Sequence, residues 1–173
     1  MGMLDLCQKN RVDYLSVERV VPCGPDGVAR DLVPSSEMRK IYSDIHEWAE
    51  SQNSTGHRVN VRRSRALWAL VSKDQGGFCP IGLSSLCILD DGTILPCRRL
   101  DIPIGNVHRD RGVFKAWYTS DLLWRVRLKR DLSPTCKTCL NLCRCGGCRA
   151  VAHATTGDYM GGDPQCWLSP QTS

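Results

Sequence analysis

The apolar positions of this chain change period along its length, and each change predicts a different element. Tyr14 to Val21 (YLSVERVV) is rich in β-forming residues and predicts a strand, closed by the break Pro22-Cys23-Gly24-Pro25-Asp26-Gly27. Met38, Ile41, Tyr42, Ile45, Trp48 and Ala49 then recur at helical spacing. Just ahead of them, Pro34-Ser35-Ser36-Glu37 supplies a capping hydroxyl and a first-turn carboxylate. A β–α unit of this kind cannot bury both of its faces alone. It reads as a piece of something larger, or as a unit that packs on the segment after it.

From about His57 the runs shorten. Val59-Asn60-Val61 predicts a short strand, followed by the basic residues Arg62, Arg63 and Arg65 and an apolar patch from Ala66 to Val71. Leu86 to Leu89 and Thr93 to Leu95 flank Asp90-Asp91-Gly92, a strong hairpin signal, with Leu86 and Ile88 on one strand face. Beyond Asp110, Val113, Phe114, Trp117 and Tyr118 predict a turn or two of helix. Ser120-Asp121 caps a second helix from Leu122 to about Leu132, whose Arg125, Arg127, Lys129 and Arg130 face water or a bound group. From Cys136 onward the run CKTCLNLCRCGGC predicts Cys/Gly loops in place of regular structure. There is no internal repeat and no low-complexity linker.

Composition alters this picture at one point. The 173 residues are 42% hydrophobic, enough for a core, but 11 are cysteine, two before residue 79 and nine from there on. A small region so dense in Cys replaces missing apolar burial with disulfides or metal. MGMLDLCQKNRVDYL shows no basic segment followed by a long apolar run, and no stretch approaches the roughly 20 apolar residues of a membrane span. The expectation is a cytoplasmic chain with no membrane partner. With an odd Cys total, that favours thiolate metal ligation over a disulfide framework.

The spacings sharpen the expectation. Cys79 is followed by twelve residues, Gly92, four more residues and Cys97; then come Cys136-x₂-Cys139-x₅-Cys145-x₂-Cys148 and a distant Cys166. Soft thiolates at such intervals suit iron–sulfur clusters or zinc. A Cys-x₂-Cys pair reaches one centre from a tight turn, and Gly146-Gly147 permits close backbone approach. Seven such cysteines exceed one four-ligand site, and two sites need eight.

These residues, with Asp91-Gly92-Thr93-Ile94-Leu95-Pro96-Cys97-Arg98, Ile104-Gly105-Asn106-Val107, Gly146-Gly147-Cys148-Arg149-Ala150, Gly157-Asp158 and Asp163-Pro164-Gln165-Cys166, resemble the SPASM domain. That domain carries the auxiliary clusters of many radical S-adenosylmethionine enzymes, and the likeness covers roughly residues 79 to 167. More loosely, the first segment resembles a late β–α unit of the radical S-adenosylmethionine partial barrel. The resemblance implies an α+β fold in two parts: a barrel remnant over 1–72, and a SPASM domain of hairpin, helices and Cys-rich loops over 73–173. It implies two [4Fe–4S] clusters, one on Cys136, Cys139, Cys145 and Cys166, the other on Cys79, Cys97 and Cys148. Cys87 is the local candidate for the remaining ligand, and its place between Leu86 and Ile88 equally suits a small buried hydrophobe. Cys143 is a surplus thiol beside the ligands, and Cys7 and Cys23 read as structural.

One departure from the family matters as much. The Cys-x₃-Cys-x₂-Cys loop of the catalytic cluster is missing, so this polypeptide is expected not to cleave S-adenosylmethionine by itself, and its catalytic residues are unknown. It reads as a C-terminal fragment, a truncated gene product or a partner protein, with S-adenosylmethionine relevant only if a catalytic domain is supplied elsewhere. The implied partners are a peptide or small cofactor-precursor substrate and an electron donor such as ferredoxin or flavodoxin. The formal charge of +5 also admits nucleic acid. Two all-Cys clusters of about −2 each would bring it to roughly +1, so no nucleic-acid partner is expected.

Other residues carry weaker signals. His46, His57, His108 and His153 form no helical pair, and read as surface or supporting groups rather than zinc ligands. Asp158 and Asp163 read as organisers of the turns before Cys166, or as acids and bases. Arg98, Arg99 and Arg149 flank cysteines and would either ease cluster reduction or sit in ordinary ion pairs. Three functions remain: electron transfer and substrate positioning by auxiliary clusters, a stand-alone cluster-bearing accessory module, and a zinc-stabilised interaction module.

Overall fold

The helical spacing between Met38 and Ala49 becomes a helix of 17 residues, α2 (Ser35–Ser51), in the computed structural model of the chain. The structure describes residues 2–22, 32–52, 57–77, 79–110 and 112–168; Cys23 and the remainder of the break after Pro22 lie outside them. Met38, Tyr42, Ile45 and Ala49 form the buried stripe of α2, while Ile41 stays 38% exposed. Ahead of it stand α1 (Met3–Lys9), for which the apolar spacing gave no signal, and β1 (Tyr14–Ser16). β1 stops well short of Val21 because its partner β2 (Asn60–Arg62) offers three residues to pair with. The two strands run parallel in the register Tyr14–Asn60, Leu15–Val61 and Ser16–Arg62, joined by α2 as a crossover connection requires.

This β–α–β unit does not bury its apolar stripe within itself. Met38, Tyr42 and Ile45 pack with Ala66, Leu67, Trp68 and Ala69, the last two in a short 3-10 turn (Trp68–Leu70), and with Cys145 from the Cys-rich run. Cys166 and Trp167 close the same core, with the Tyr42 and Trp68 rings 4.2 Å apart and Tyr42 and Trp167 at 5.9 Å.

The hairpin forms over β3 (Cys87–Ile88) and β4 (Thr93–Leu95), and β5 (Gly105–Asn106) extends it to an antiparallel meander. Its loop is three residues long, with Leu89 N–H bonded to Thr93 O at 2.9 Å and Gly92 at φ +81°. That is the left-handed corner such a loop needs. α3 (Val113–Thr119) leads into α4 (Asp121–Leu128), where Ser120 Oγ accepts from Leu123 N–H as the helix cap. α4 ends at Leu128 rather than near Leu132, because Lys129 turns left-handed at φ +55°. Its basic residues are not simply turned to water: Arg125 bonds Asp131 and Tyr159, Arg127 bonds the carbonyls of Gly82 and Trp117, and Lys129 bonds that of Leu142. The stretch after Cys136 is also more regular than expected. α5 (Pro134–Lys137) contains Cys136, and α6 (Arg149–Thr156) follows Cys148 directly. Leu122, Leu123 and Val126 of α4 join Ile81, Leu100, Leu132, Ala150 and Met160 in a second core. The described residues thus form an α+β structure with two cores. Among the described residues, no helix is long and apolar enough to cross a membrane.

Candidate metal centres

Eight cysteines open onto two cavities, four to each. The larger, about 440 Å³, is lined by Cys79, Cys87, Cys97 and Cys148. The smaller, about 300 Å³, is lined by Cys136, Cys139, Cys145 and Cys166. Among the described residues no disulfide competes for these side chains.

Local structure explains each placement in the larger cavity. Cys79 precedes a turn in which the Pro80 carbonyl accepts from the N–H groups of Leu83, Ser84 and Ser85. Burial pushes the Cys79 thiol above its ordinary pKa, only partly opposed by the N–H of Ile81. Cys87 lies in β3 opposite Leu95, and Cys97 follows β4 in a turn closed by Leu100 N–H on its carbonyl at 2.9 Å. Cys148 is the N-cap residue of α6.

The smaller cavity is built from tighter turns. Cys145 Sγ accepts from the N–H groups of Leu67 and Gly147, and Cys139 Sγ from that of Asn141, each at 3.4 Å. Such donors stabilise charge on sulfur. Gly146 and Gly147 hold φ of +102° and +69°, and a Cβ on Gly147 would press on Asp163 and the Arg149 guanidinium. Glycine is required there both by conformation and by space.

A polar clamp runs between the cavities. Asp163, 1% exposed, accepts from Arg19 Nη1 and Nη2 at 2.9 and 2.8 Å, from Cys148 N–H at 2.8 Å and from Gln165 N–H at 3.1 Å. Burial acts to raise the Asp163 pKa, but Arg19 and the two amides outweigh it and hold the carboxyl below its ordinary value. Burial likewise works against the Arg19 charge, and Asp163 more than offsets it, raising the pKa of the guanidinium. Arg149, 2% exposed, donates to the carbonyls of Gly146, Tyr159 and Gly161 and so fastens α6 to the flanking loops. Nothing in the sequence paired Arg19 with Asp163, which lies 144 positions away.

The remaining candidates sit elsewhere. Cys7 is buried in α1 and Cys143 is exposed, and neither lines either of the two cavities. His46 Nδ1 meets Arg63 Nη1 at 2.6 Å, His57 Nε2 lies 3.2 Å from Val12 O, and His153 Nδ1 lies 3.1 Å from Gly157 O. The His108 ring packs against Gly92. Asp158 accepts from Met160 N–H at 2.8 Å within the turn after α6. Among the described residues no three Cys, His, Asp or Glu side chains converge as a single metal ion requires. The donors instead surround spaces of several hundred Å³, and soft thiolates around such spaces suit a polynuclear iron–sulfur group.

Residues 79–140 match the family model for SPASM, an iron–sulfur cluster-binding domain. The AdoMet-dependent heme synthase of Nitratidesulfovibrio vulgaris is 24% identical over 181 aligned positions, covering 96% of this chain and 49% of that protein. A second AdoMet-dependent heme synthase, from Oleidesulfovibrio alaskensis, is 30% identical over 165 positions, covering 85% of this chain and 42% of the relative. The PqqA peptide cyclase of Ruegeria pomeroyi is 36% identical over 94 positions, 51% of this chain and 25% of that enzyme. The chain spans half or less of the length of these relatives. It therefore carries a SPASM iron–sulfur cluster-binding domain and is a relative of AdoMet-dependent heme synthases and PqqA peptide cyclases.

Proposed function

We propose that the chain holds two [4Fe–4S] clusters, and is the auxiliary-cluster part of a radical S-adenosylmethionine type of enzyme that modifies a peptide or a small cofactor precursor. The observation that carries this reading is the lining of two separate cavities by four cysteines each. Cys79, Cys87, Cys97 and Cys148 would ligate in the larger cavity, and Cys136, Cys139, Cys145 and Cys166 in the smaller. Cys87 then completes a fourfold set, which leaves no iron open for direct substrate binding. Clusters so held supply one-electron transfer to or from a reacting partner.

The chain's own residues do the rest. Leu67, Gly147 and Asn141 aim N–H groups at cysteine sulfurs, and Asp163 fixes the backbone of Cys148. Residues 1–72 serve as the barrel-derived unit and 73–173 as the cluster domain, each walling the larger cavity. S-adenosylmethionine chemistry would come from a catalytic domain that this sequence does not contain, with electrons from a donor such as ferredoxin or flavodoxin. The activities named for the relatives, heme synthesis and PqqA peptide cyclisation, support both substrate classes. Thiolates kept reduced for ligation fit a cytoplasmic setting.

The test is anaerobic quantification of iron and sulfide on reconstituted protein, with an electron paramagnetic resonance spectrum after reduction. About eight irons and eight sulfides per chain are expected. Cys139→Ala should lose about half, and Cys7→Ala none. Zinc with negligible sulfide, or equal losses in both variants, would overturn the reading.

A further inference from the structure

Three guanidinium groups from different parts of the chain meet one carboxylate on the wall of the larger cavity. Arg65 Nη2 donates to Glu18 Oε1 at 3.2 Å, and Arg98 Nη2 donates to Glu18 Oε2 at 2.8 Å. Arg99 Nη1 lies 3.6 Å from the same Oε2. Glu18 follows β1, Arg65 follows β2, and the other two follow Cys97, so the group exists only in the folded chain. All four line the cavity that Cys79, Cys87, Cys97 and Cys148 also line. The nearby Arg19 is not part of the group, because Asp163 takes both of its terminal nitrogens.

Charge and exposure give the cluster a direction. Three positive groups against one negative group leave a surplus of two. The Arg98 and Arg65 side chains are 66% and 46% exposed, so both are open to an arriving ligand. Arg99 is held inward by the Arg19 carbonyl at 3.1 Å, and its buried Nε has no partner among the described residues. Guanidinium forks match carboxylates through paired N–H donors, and several forks on one carboxylate leave most of those donors unused.

We propose that Arg65, Arg98 and Arg99 form a binding site for a carboxylate of the substrate, and that Glu18 is an internal stand-in which that carboxylate displaces. The proposal rests on the functional reading above only in taking the cysteine-lined cavity as the place the substrate approaches. A glutamate or aspartate side chain of a peptide and a propionate of a porphyrin present the same chemistry. The site selects the acid and not the scaffold, so the experiment must separate the scaffolds.

The experiment uses the full chain, with iron and sulfide measured on every variant before binding is read. Four probes are titrated: a labelled peptide with two glutamates, its glutamine counterpart, protoporphyrin IX, and its dimethyl ester. At least one acid should bind about tenfold more tightly than its neutral counterpart, and which acid does so identifies the scaffold. Arg98→Gln should weaken that binding by about tenfold at unchanged iron content. Glu18→Gln should strengthen it several-fold by freeing three guanidinium groups, an effect a merely structural Glu18 would not produce. Equal binding of acids and neutral counterparts, or weaker binding in Glu18→Gln, overturns the proposal. If the chain takes up no iron yet the two variants keep their opposite effects, the two-cluster reading falls and the carboxylate site stands.

Discussion

Gly92 shows how much one missing side chain can decide. It turns the hairpin loop at φ +81°, and a Cβ there would run into the His108 ring. Gly92→Ala combines left-handed strain of about 1 kcal/mol with that collision. We expect a loss of about 2 kcal/mol, read as a lower urea midpoint at unchanged slope. The same variant should bind less iron, since Cys87 and Cys97 flank the loop; a normal iron content would mean the cysteines find their places without it. The need for glycine was legible in Asp90-Asp91-Gly92, because hairpin corners have a sequence signature. The His108 contact was not, since nothing in the spacing says which distant ring fills the space a glycine leaves.

At the scale of elements, the ion pair between Arg19 and Asp163 ties the segment after β1 to the backbone of Cys148 at the start of α6. Both side chains are nearly excluded from solvent, at 7% and 1% exposure, so removing one partner leaves a buried charge unmatched. Arg19→Met is expected to cost about 3–5 kcal/mol, and the double variant Arg19→Met/Asp163→Asn clearly less than the sum of the singles. Thermal melts of the three proteins check this; strict additivity would mean that the two residues stabilise the fold separately. α2 was legible because six apolar residues keep one period over twelve positions. α6 was hidden because its first turn, Arg149-Ala150-Val151-Ala152, follows a Cys/Gly run that masks any start signal. β5 has only two residues, Gly105-Asn106, too few to show alternation. Lys129 ended α4 early through a conformation that no side-chain pattern announces.

Over the whole molecule, metal and core are not separate assets. Cys145 belongs to the core built by α2, while Cys79, Cys97, Cys136 and Cys148 pack against the core built by α4. A group bound by the folded chain and not by the unfolded one stabilises the former. Stripping iron should therefore lower the melting temperature, by roughly 10 °C for a loss of a few kcal/mol. Superimposable melts of loaded and stripped protein would mean that the fold stands without its cargo. The cysteine spacing showed only more thiols than one site uses; the SPASM resemblance implied their division into two sets, and two cavities are lined by four cysteines each. Neither could reveal that Met38, Tyr42, Ile45 and Ala66 to Ala69 pack in one core with Cys145, because packing between segments so far apart leaves no periodic trace.

The four residues Cys145 to Cys148 are a party wall. Cys145 and Gly146 face the smaller cavity, Cys148 faces the larger, and Gly147 borders both. The consequence is inseparability: neither chamber can be transplanted into another scaffold without carrying half of its neighbour. A single inserted residue in this stretch would displace both chambers at once, whereas a lengthened hairpin loop would disturb only one.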